Sequence, residues 1–555
     1  MNLKDLKKTW DLIVIGGGIT GAGILREAVG MGLKAILIEQ EDFAWGTSSR
    51  SSKLVHGGLR YIKEGHLMLT KISVEERDRL LAEAPGLVEP LGFILPVYEE
   101  QKPGKKLLKV GLTIYDIMAR ERQHRFLEAD ELLEKLPFLN PTGLLGGYHY
   151  YDAQVDDSRL VLRLINESVN SGGRALNYTR VKRIIRSGEG NVLGIEIEDV
   201  ETGEGASLFA DVVFNATGCW AEKLHPSPDS NRHLRPLRGS HLVFPAELLP
   251  LKEGLSFIHP RDGRAAFAIP WEGAVLVGTT DLDHTEDLSV VPYITEAEVT
   301  YLMEGVQSLF PSLNITLADC ISAFAGIRPV LSEGKREASE ESREHVVWVD
   351  RGLITVTGGK LTTFRRLAGD ALKAAKPFLP PDSEFSRKDP IFAEMPPMPE
   401  YDYGLPVQTW RRLYGRYGRA AYQIVQSADP NDLEIIPDTH TLWAELPYVA
   451  ENESIRHLED LLLRRVRIGL LTPEGGKKYL NRIQKICRDV LPWDRRGWKE
   501  EIKLYLQVWN QAHNLPLRRA EILARPKIVS FRAMKAALSK LYHKVRPAKK
   551  DTLAA

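Results

Sequence analysis

The chain has 555 residues, too many for one simple core, so two or three domains are expected. Its 74 basic and 74 acidic residues cancel, which removes any global electrostatic reason to expect nucleic acid or a strongly acidic partner. Cys219, Cys320 and Cys487 lie far apart with no CxxC spacing, so neither a metal site nor a disulfide framework is expected, and a reducing cytoplasm suits them.

The N-terminal "MNLKDLKK" precedes an apolar stretch, but that stretch is interrupted by glycine and runs into Arg26 and Glu27, which argues against a signal peptide. No uninterrupted apolar run of about 18 residues follows, so no transmembrane helix is expected. The stretch itself, "WDLIVIGGGITGAGILREAVGMGLKAILIEQ", reads as strand, glycine turn, helix and second strand. Gly16 permits the tight turn, Gly18 lets backbone approach a pyrophosphate, and Gly21 lets helix and strand pack closely. Free N–H groups at the helix start favour an anion, and Glu39, ending the second strand, is placed to accept hydrogen bonds from a ribose. The predicted fold class is therefore α/β, with a Rossmann-like dinucleotide-binding domain.

Two later segments return to the same sheet. "ADVVFNATGCWAE" reads as a buried strand at Val212 to Phe214 ending in small residues, where Thr217 and Gly218 allow backbone to lie against a cofactor. "RGLITVTGGKLTTFRRLAGDAL" reads as a strand, a Gly358-Gly359 turn and a helix opening at Leu361 to Thr363. Such a helix start, with Leu361 and Thr362 in it, suits negative charge developing on a reduced flavin. Together the three segments favour FAD over NAD.

Between and beyond these pieces, strand-like alternation occurs at Gly92 to Tyr98, His241 to Pro245 and Ala265 to Val277, predicting an antiparallel sheet over the flavin. The expected organisation is an FAD-binding domain within 1–376 (mainly 1–85, 160–230 and 340–376) interleaved with a substrate domain (mainly 86–159 and 231–339). Dense proline from 377 to 406 reads as an extended linker. Residues 407–524 carry helical spacing, as in "TWRRLYGRYGRAAYQIV", "SIRHLEDLLLRRVRIGLL" and "GGKKYLNRIQKICRDVL", whose arginines are expected on solvated faces. In the tail, 525–555, the stretch Arg525 to Lys550 is basic without an acid and has apolar residues at near-helical spacing, the pattern of a basic amphipathic surface helix.

With "DLIVIGGGITGAGI", "TSSRSSKLVHGGLRY", "NATG", "GSHLVFP", "IPWEGAVLVGTTD", "GIRPV" and "GGKLTT" in this order, the chain resembles the FAD-dependent glycerol-3-phosphate dehydrogenases. The likeness covers roughly residues 10 to 375, and more loosely the helical C-terminal part. It implies oxidation of sn-glycerol 3-phosphate to dihydroxyacetone phosphate by hydride transfer to flavin N5, with electrons passing to a membrane quinone. It also implies that Ser48, Ser49, Ser52 and Lys53 lie along the cofactor while His56, Arg60 and Tyr61 face the substrate, with Gly57 and Gly58 leaving room for a flat flavin.

Within that frame the chemistry sorts the candidates. Arg328 and Arg60 offer forked donors to a phosphate dianion. His56 or His241 is the neutral-pH base for the C2 hydroxyl. Lys360 is placed to stabilise reduced flavin or to bind substrate, and Thr280 and Tyr61 offer hydroxyl donors or simple packing. The implied setting is cytoplasmic, at the inner face of the cell membrane through the C-terminal tail, and a homodimer is compatible with the sequence but not fixed by it. Three rivals stay open: a glycerol-3-phosphate oxidase that reduces oxygen to peroxide, an amine or amino-acid oxidase on the same fold in which Arg328 binds a carboxylate, and a flavin-binding interaction protein without catalysis.

Overall fold

A computed structural model describes residues 3–516, apart from Glu64, 121–122, 226–232, Glu333, 335–340, 342–343, Met398 and 400–401; the basic tail is outside the described residues. The strands Leu12–Ile15 and Ala35–Ile38 are four-residue apolar runs, buried throughout, as strands covered on both faces must be. They form the centre of a six-stranded sheet in the order His345–Asp350, Leu353–Gly358, Val213–Asn215, Leu12–Ile15, Ala35–Ile38, Arg174–Leu176. All pairs are parallel except the one between His345–Asp350 and Leu353–Gly358. The strand after "ADV" is thus Val213–Asn215, one residue later than its sequence pattern.

Helices Ile19–Gly30, Asp157–Asn170 and Phe364–Ala375 cover one face of this sheet, and a three-stranded antiparallel sheet (Thr179–Arg186, Val192–Asp199, Gly205–Phe209) packs on the other. Phe364, Leu367, Ala368, Ala371, Leu372 and Ala375 make the buried stripe of the last helix. Full burial of a side chain such as Phe364 or Leu367 contributes about 1.5–3 kcal/mol.

The second layer is a ten-stranded, mostly antiparallel sheet. Its path runs Leu282–Asp283, Leu234–Pro245, Ala274–Gly278, Ala265–Trp271, Gly254–Ile258, Val88–Tyr98, Leu144–Val155, Leu54–Val55, with Ser322–Leu331 and Arg125–Glu128 joined at its sides. Glu272 and Gly273, both at positive φ, turn Ala265–Trp271 back into Ala274–Gly278. The chain crosses between the two large sheets several times. Leu54–Val55, early in the chain, already belongs to the second sheet and carries His56 away from the nucleotide-binding one.

The proline-dense segment is not a free linker. Ile391 and Phe392 are buried against the first helices, the Ile391 carbonyl accepts from Arg26 Nε at 2.7 Å, and its N–H donates to Glu83 at 2.9 Å. The C-terminal part includes helices Val407–Tyr417, Ala420–Gln426, Glu445–Asn452, Leu480–Cys487 and Arg495–Ala512. Its Trp410, Leu413, Tyr417 and Trp443 share one core with Trp271, Leu276 and Phe324 of the large sheet. The segment read as a continuous helix around 454–471 is broken: a π-helical turn, Asp460–Arg465, is followed by Arg467 at φ 61° and a single turn, Ile468–Leu471.

Arg411, Arg419 and Arg488 are exposed, but four of the arginines expected on solvated faces there are buried instead. Arg416, Arg464, Arg465 and Arg467 are each at most 2% exposed. Their charge is matched by carboxylates of the first domain, a partner that helical periodicity within one segment does not reveal.

Candidate active site

One cavity of about 1010 Å³ runs between the two large sheets. At one end lies the glycine turn. Gly16 has φ 112° and a Cβ there would meet the Ala216 carbonyl; a Cβ on Gly21 would meet the Gly16 carbonyl, so Gly21 serves helix–strand packing and does not line the cavity. Ser48 Oγ accepts from the Ile19 N–H at 2.9 Å, which ties the serine loop to the first turn of helix Ile19–Gly30. Glu39 lines the cavity and holds the turn from inside, accepting from the N–H groups of Gly17 (2.6 Å) and Glu41 (2.9 Å). Burial raises the Glu39 pKa, and burial with the Glu39 charge pushes neighbouring Glu41 up to about 8.

Thr217, Gly218, Gly359, Leu361 and Thr362 all reach the cavity wall, with Gly218 and Gly359 at positive φ. Leu361–Thr363 forms a 3-10 turn that runs into helix Phe364–Ala375. Thr362 Oγ1 accepts from the His56 N–H at 3.2 Å, so the cofactor-side turn and the histidine loop are joined.

The other end gathers cations. Arg328 Nη1 donates to Asp281 Oδ1 at 3.0 Å, its Nη2 to Thr279 Oγ1 at 2.8 Å, and Arg264 Nη2 lies 3.3 Å from Asp281 Oδ2. Two guanidiniums thus share one carboxylate on the cavity wall. Gly239 makes room for this: a Cβ there would meet the Arg328 guanidinium. Lys360 lies 4.0 Å over the Tyr61 ring and donates to Ser73 Oγ at 2.7 Å, and Lys360, Tyr61 and His56 all line the cavity. Arg60 sits in helix Leu59–Lys63, which follows directly; its side chain is outside the described residues.

Several expected residues are placed differently. Lys53 is fully buried in an ion pair with Asp157 at 2.7 Å and does not touch the cavity; burial lowers its pKa to about 8. Ser49 is buried behind the wall, where its carbonyl accepts from Lys53 Nζ at 2.7 Å. The Thr280 hydroxyl donates to Glu298 at 2.8 Å, anchoring the turn whose neighbours, Thr279 and Asp281, reach the cavity. His241 also lies behind the wall, 2% exposed, stacked on Phe324 at 4.6 Å, with Nε2 2.9 Å from the hydroxyl of cavity-lining Ser52. Burial, then the charges of Arg328 and Lys53, hold its pKa well below the usual histidine value. Gly57 is explained by the protein: a Cβ would meet Tyr115 and Val74. Its N–H donates to Tyr115 Oη (3.0 Å) and Asp152 Oδ1 (3.1 Å), and Arg77 Nη1 donates to both.

Arg264, Asp281, Asp152 and Tyr115 were not legible in the sequence. An isolated arginine after "DG" and a tyrosine inside a helix carry no spacing signal. Asp152 comes in on strand Leu144–Val155, Arg264 and Asp281 flank strands of the same sheet, and Tyr115 comes from helix Lys105–Ala119.

A glycine-lined helix start opening on the same cavity as a flavin-edge turn and a cation-rich end defines an FAD-dependent oxidoreductase. The volume suits a large cofactor with a small substrate beside it. The FAD dependent oxidoreductase family model matches residues 11–365, and the model of the C-terminal domain of alpha-glycerophosphate oxidase matches 391–497. The aerobic glycerol-3-phosphate dehydrogenase of Bacillus subtilis (strain 168) is 40% identical over 65% of this chain, which spans 66% of that relative, just under two thirds. That of Staphylococcus haemolyticus (strain JCSC1435) is 33% identical over 87% of this chain and 90% of its own length. The solved glycerol-3-phosphate dehydrogenase from Bacillus halodurans complexed with FAD superposes with a TM-score of 0.70 at 27% identity, covering 90% of this chain and 95% of that one. The chain belongs to the FAD-dependent glycerol-3-phosphate dehydrogenase/oxidase family, and its cofactor is FAD.

Proposed function

We propose that this cavity oxidises sn-glycerol 3-phosphate to dihydroxyacetone phosphate and that the electrons leave to a membrane quinone. The observation that carries the substrate reading is the pair of guanidiniums, Arg328 and Arg264, held on the Asp281 carboxylate at the cavity wall, with Lys360 lining the same cavity. Forked donors of this kind match phosphate oxygens, and Arg60 is proposed to add to them. FAD, when bound, supplies the two-electron acceptor for the hydride that leaves C2. His56, on the wall, takes the C2 hydroxyl proton. His241, held neutral, fixes the Ser52 hydroxyl from behind and so orients it toward the cavity. Comparing turnover of sn-glycerol 3-phosphate with that of glycerol and of an α-amino acid tests the reading; preference for either unphosphorylated substrate refutes it.

The acceptor reading rests on helix Lys105–Ala119. Its Leu108 lines the cavity, while Leu107, Val110 and Ile117 are 61%, 55% and 71% exposed, beside Met68 at 67%. Lys102, Lys106, Lys109 and Arg120 surround this patch, and Asp116 is turned inward onto His124 at 2.6 Å. An apolar face ringed by lysine beside a redox cavity suits an anionic lipid surface. The basic tail, 525–550, is proposed as a second such contact. Among the described residues no helix is long and apolar enough to cross a membrane. Replacing Val110 and Ile117 by aspartate is expected to lower quinone reduction in anionic vesicles while sparing reduction of a soluble dye. Equal quinone reduction, or oxygen uptake at the dye rate, favours the oxidase.

A further inference from the structure

The loop Gly46–Ser52 contributes Gly46, Thr47, Ser48, Arg50, Ser51 and Ser52 to the cavity wall. It has little regular structure of its own, only the 3-10 turn Thr47–Ser49. Besides the Ser48 contact with Ile19, it is fixed from the far side of the cavity wall. Asp157, the first residue of helix Asp157–Asn170, accepts from both the N–H (2.9 Å) and the hydroxyl (2.7 Å) of Ser51. Lys53 bridges Asp157 and the Ser49 carbonyl, each at 2.7 Å.

The C-terminal domain completes this node. Arg467 donates to Asp156 Oδ1 (2.9 Å), to Asp157 and to the Ser49 carbonyl (3.3 Å). Lys53 and Arg467 therefore converge on the same carbonyl and the same carboxylate from two domains. Both are non-glycine residues in the left-handed region, at φ 60° and 61°. Such a backbone is strained for a residue with a side chain and persists where the surroundings dictate it. Arg464 and Arg465 reach across in the same way, to Asp42 at 2.5 and 2.8 Å, beside cavity-lining Glu41.

We propose that Arg467 is a positioning residue for the cofactor: the C-terminal domain sets FAD affinity by clamping the back of the serine loop. The inference rests on the FAD reading of the cavity, not on its substrate. A buried, forked guanidinium bound to two carboxylates and a carbonyl is a rigid joint, whereas lysine at that position keeps the charge and loses the fork. Removing the guanidinium takes one partner from Asp156 and Asp157 at the N-terminus of their helix and leaves the Ser49 carbonyl to Lys53.

The test uses the full-length holoenzyme with Arg467→Gln and Arg467→Lys, and Arg412→Gln as comparison. Arg412 is also a C-terminal-domain arginine, paired with Glu272 (2.9 Å) and Glu445 (2.8 Å), but it touches nothing on the loop. FAD release is followed by flavin fluorescence on dilution, melting by calorimetry, and the loop by amide exchange across residues 46–53. The expected result is a rise of about tenfold or more in the FAD dissociation constant for Arg467→Gln, a smaller rise for Arg467→Lys, and faster exchange in the loop. Arg412→Gln lowers the melting temperature but keeps FAD affinity within about twofold. Affinity that falls in step with melting temperature in all three variants overturns the proposal. Where Arg467→Gln fails to fold, Arg467→Lys decides: wild-type FAD affinity and loop protection in that variant overturn it, and weakened affinity with a loosened loop supports it.

Discussion

Arg328 and Asp281 meet at 3.0 Å on the cavity wall, and the second oxygen of the same carboxylate is 3.3 Å from Arg264. The carboxylate holds both guanidiniums in place on the cavity wall. Arg328→Lys replaces a fork by a point charge. Because a hydrogen bond to a charged group contributes about 1.5–3 kcal/mol, KM for glycerol 3-phosphate is expected to rise about tenfold to a hundredfold, with little change for glycerol. Steady-state kinetics on both substrates check this; an equal rise for both takes Arg328 out of the phosphate site.

Gly239→Ala probes the same guanidinium without touching its charge. The added methyl would meet the Arg328 side chain, so the arginine must shift off Asp281. The expected signature is a raised KM with FAD content unchanged. A variant with wild-type KM shows that the guanidinium position is unimportant.

His56 faces the cavity, whereas His241 does not. His56→Asn is expected to slow flavin reduction by about a hundredfold or more while FAD stays bound, since general-base catalysis contributes about 10² to 10⁴. Stopped-flow reduction across pH 5.5–8 measures it, and the residual rate should lose its pH dependence. If His241→Asn does this instead, the proton passes through Ser52 to the buried ring.

The buried His241 also carries a stability consequence. Its folded pKa lies well below the ordinary value of about 6.5, so the unfolded chain binds the extra proton first. Stability is therefore complete above about pH 6.5 and falls as pH drops through that value toward the depressed folded pKa. His241→Gln is expected to flatten the loss of melting temperature between about pH 6.5 and 5. An unchanged slope means that other groups dominate the acid limb.

Legibility in the sequence followed locality. The glycine turn, Glu39 and the returning strands could be read because each role depends on neighbours within about 20 residues. Thr362 fell on the cavity for the same reason, and Ser48 lines it as the family resemblance implies. Lys53 and Thr280 did not, because a polar residue in a motif points either to the ligand or to its own scaffold, and only the positions of Asp157 and Glu298 decide between these. The C-terminal arginines were misread for a related reason. For Arg416, Arg464, Arg465 and Arg467 the partners Asp42, Asp156 and Asp157 lie 260 to 423 residues away in the chain, so periodicity alone made a buried ionic seam look like a wet helix face.

Anaerobic titration of the purified yellow holoenzyme with sn-glycerol 3-phosphate, followed by flavin absorbance, tests the central claim most directly. With the enzyme at a concentration well above KM, bleaching should be complete near one equivalent, with dihydroxyacetone phosphate formed in equal amount, and glycerol at the same concentration should leave the spectrum nearly unchanged. A flavin that stays oxidised with glycerol 3-phosphate, or that bleaches as readily with glycerol, contradicts the assignment of this cavity to phosphate-directed oxidation.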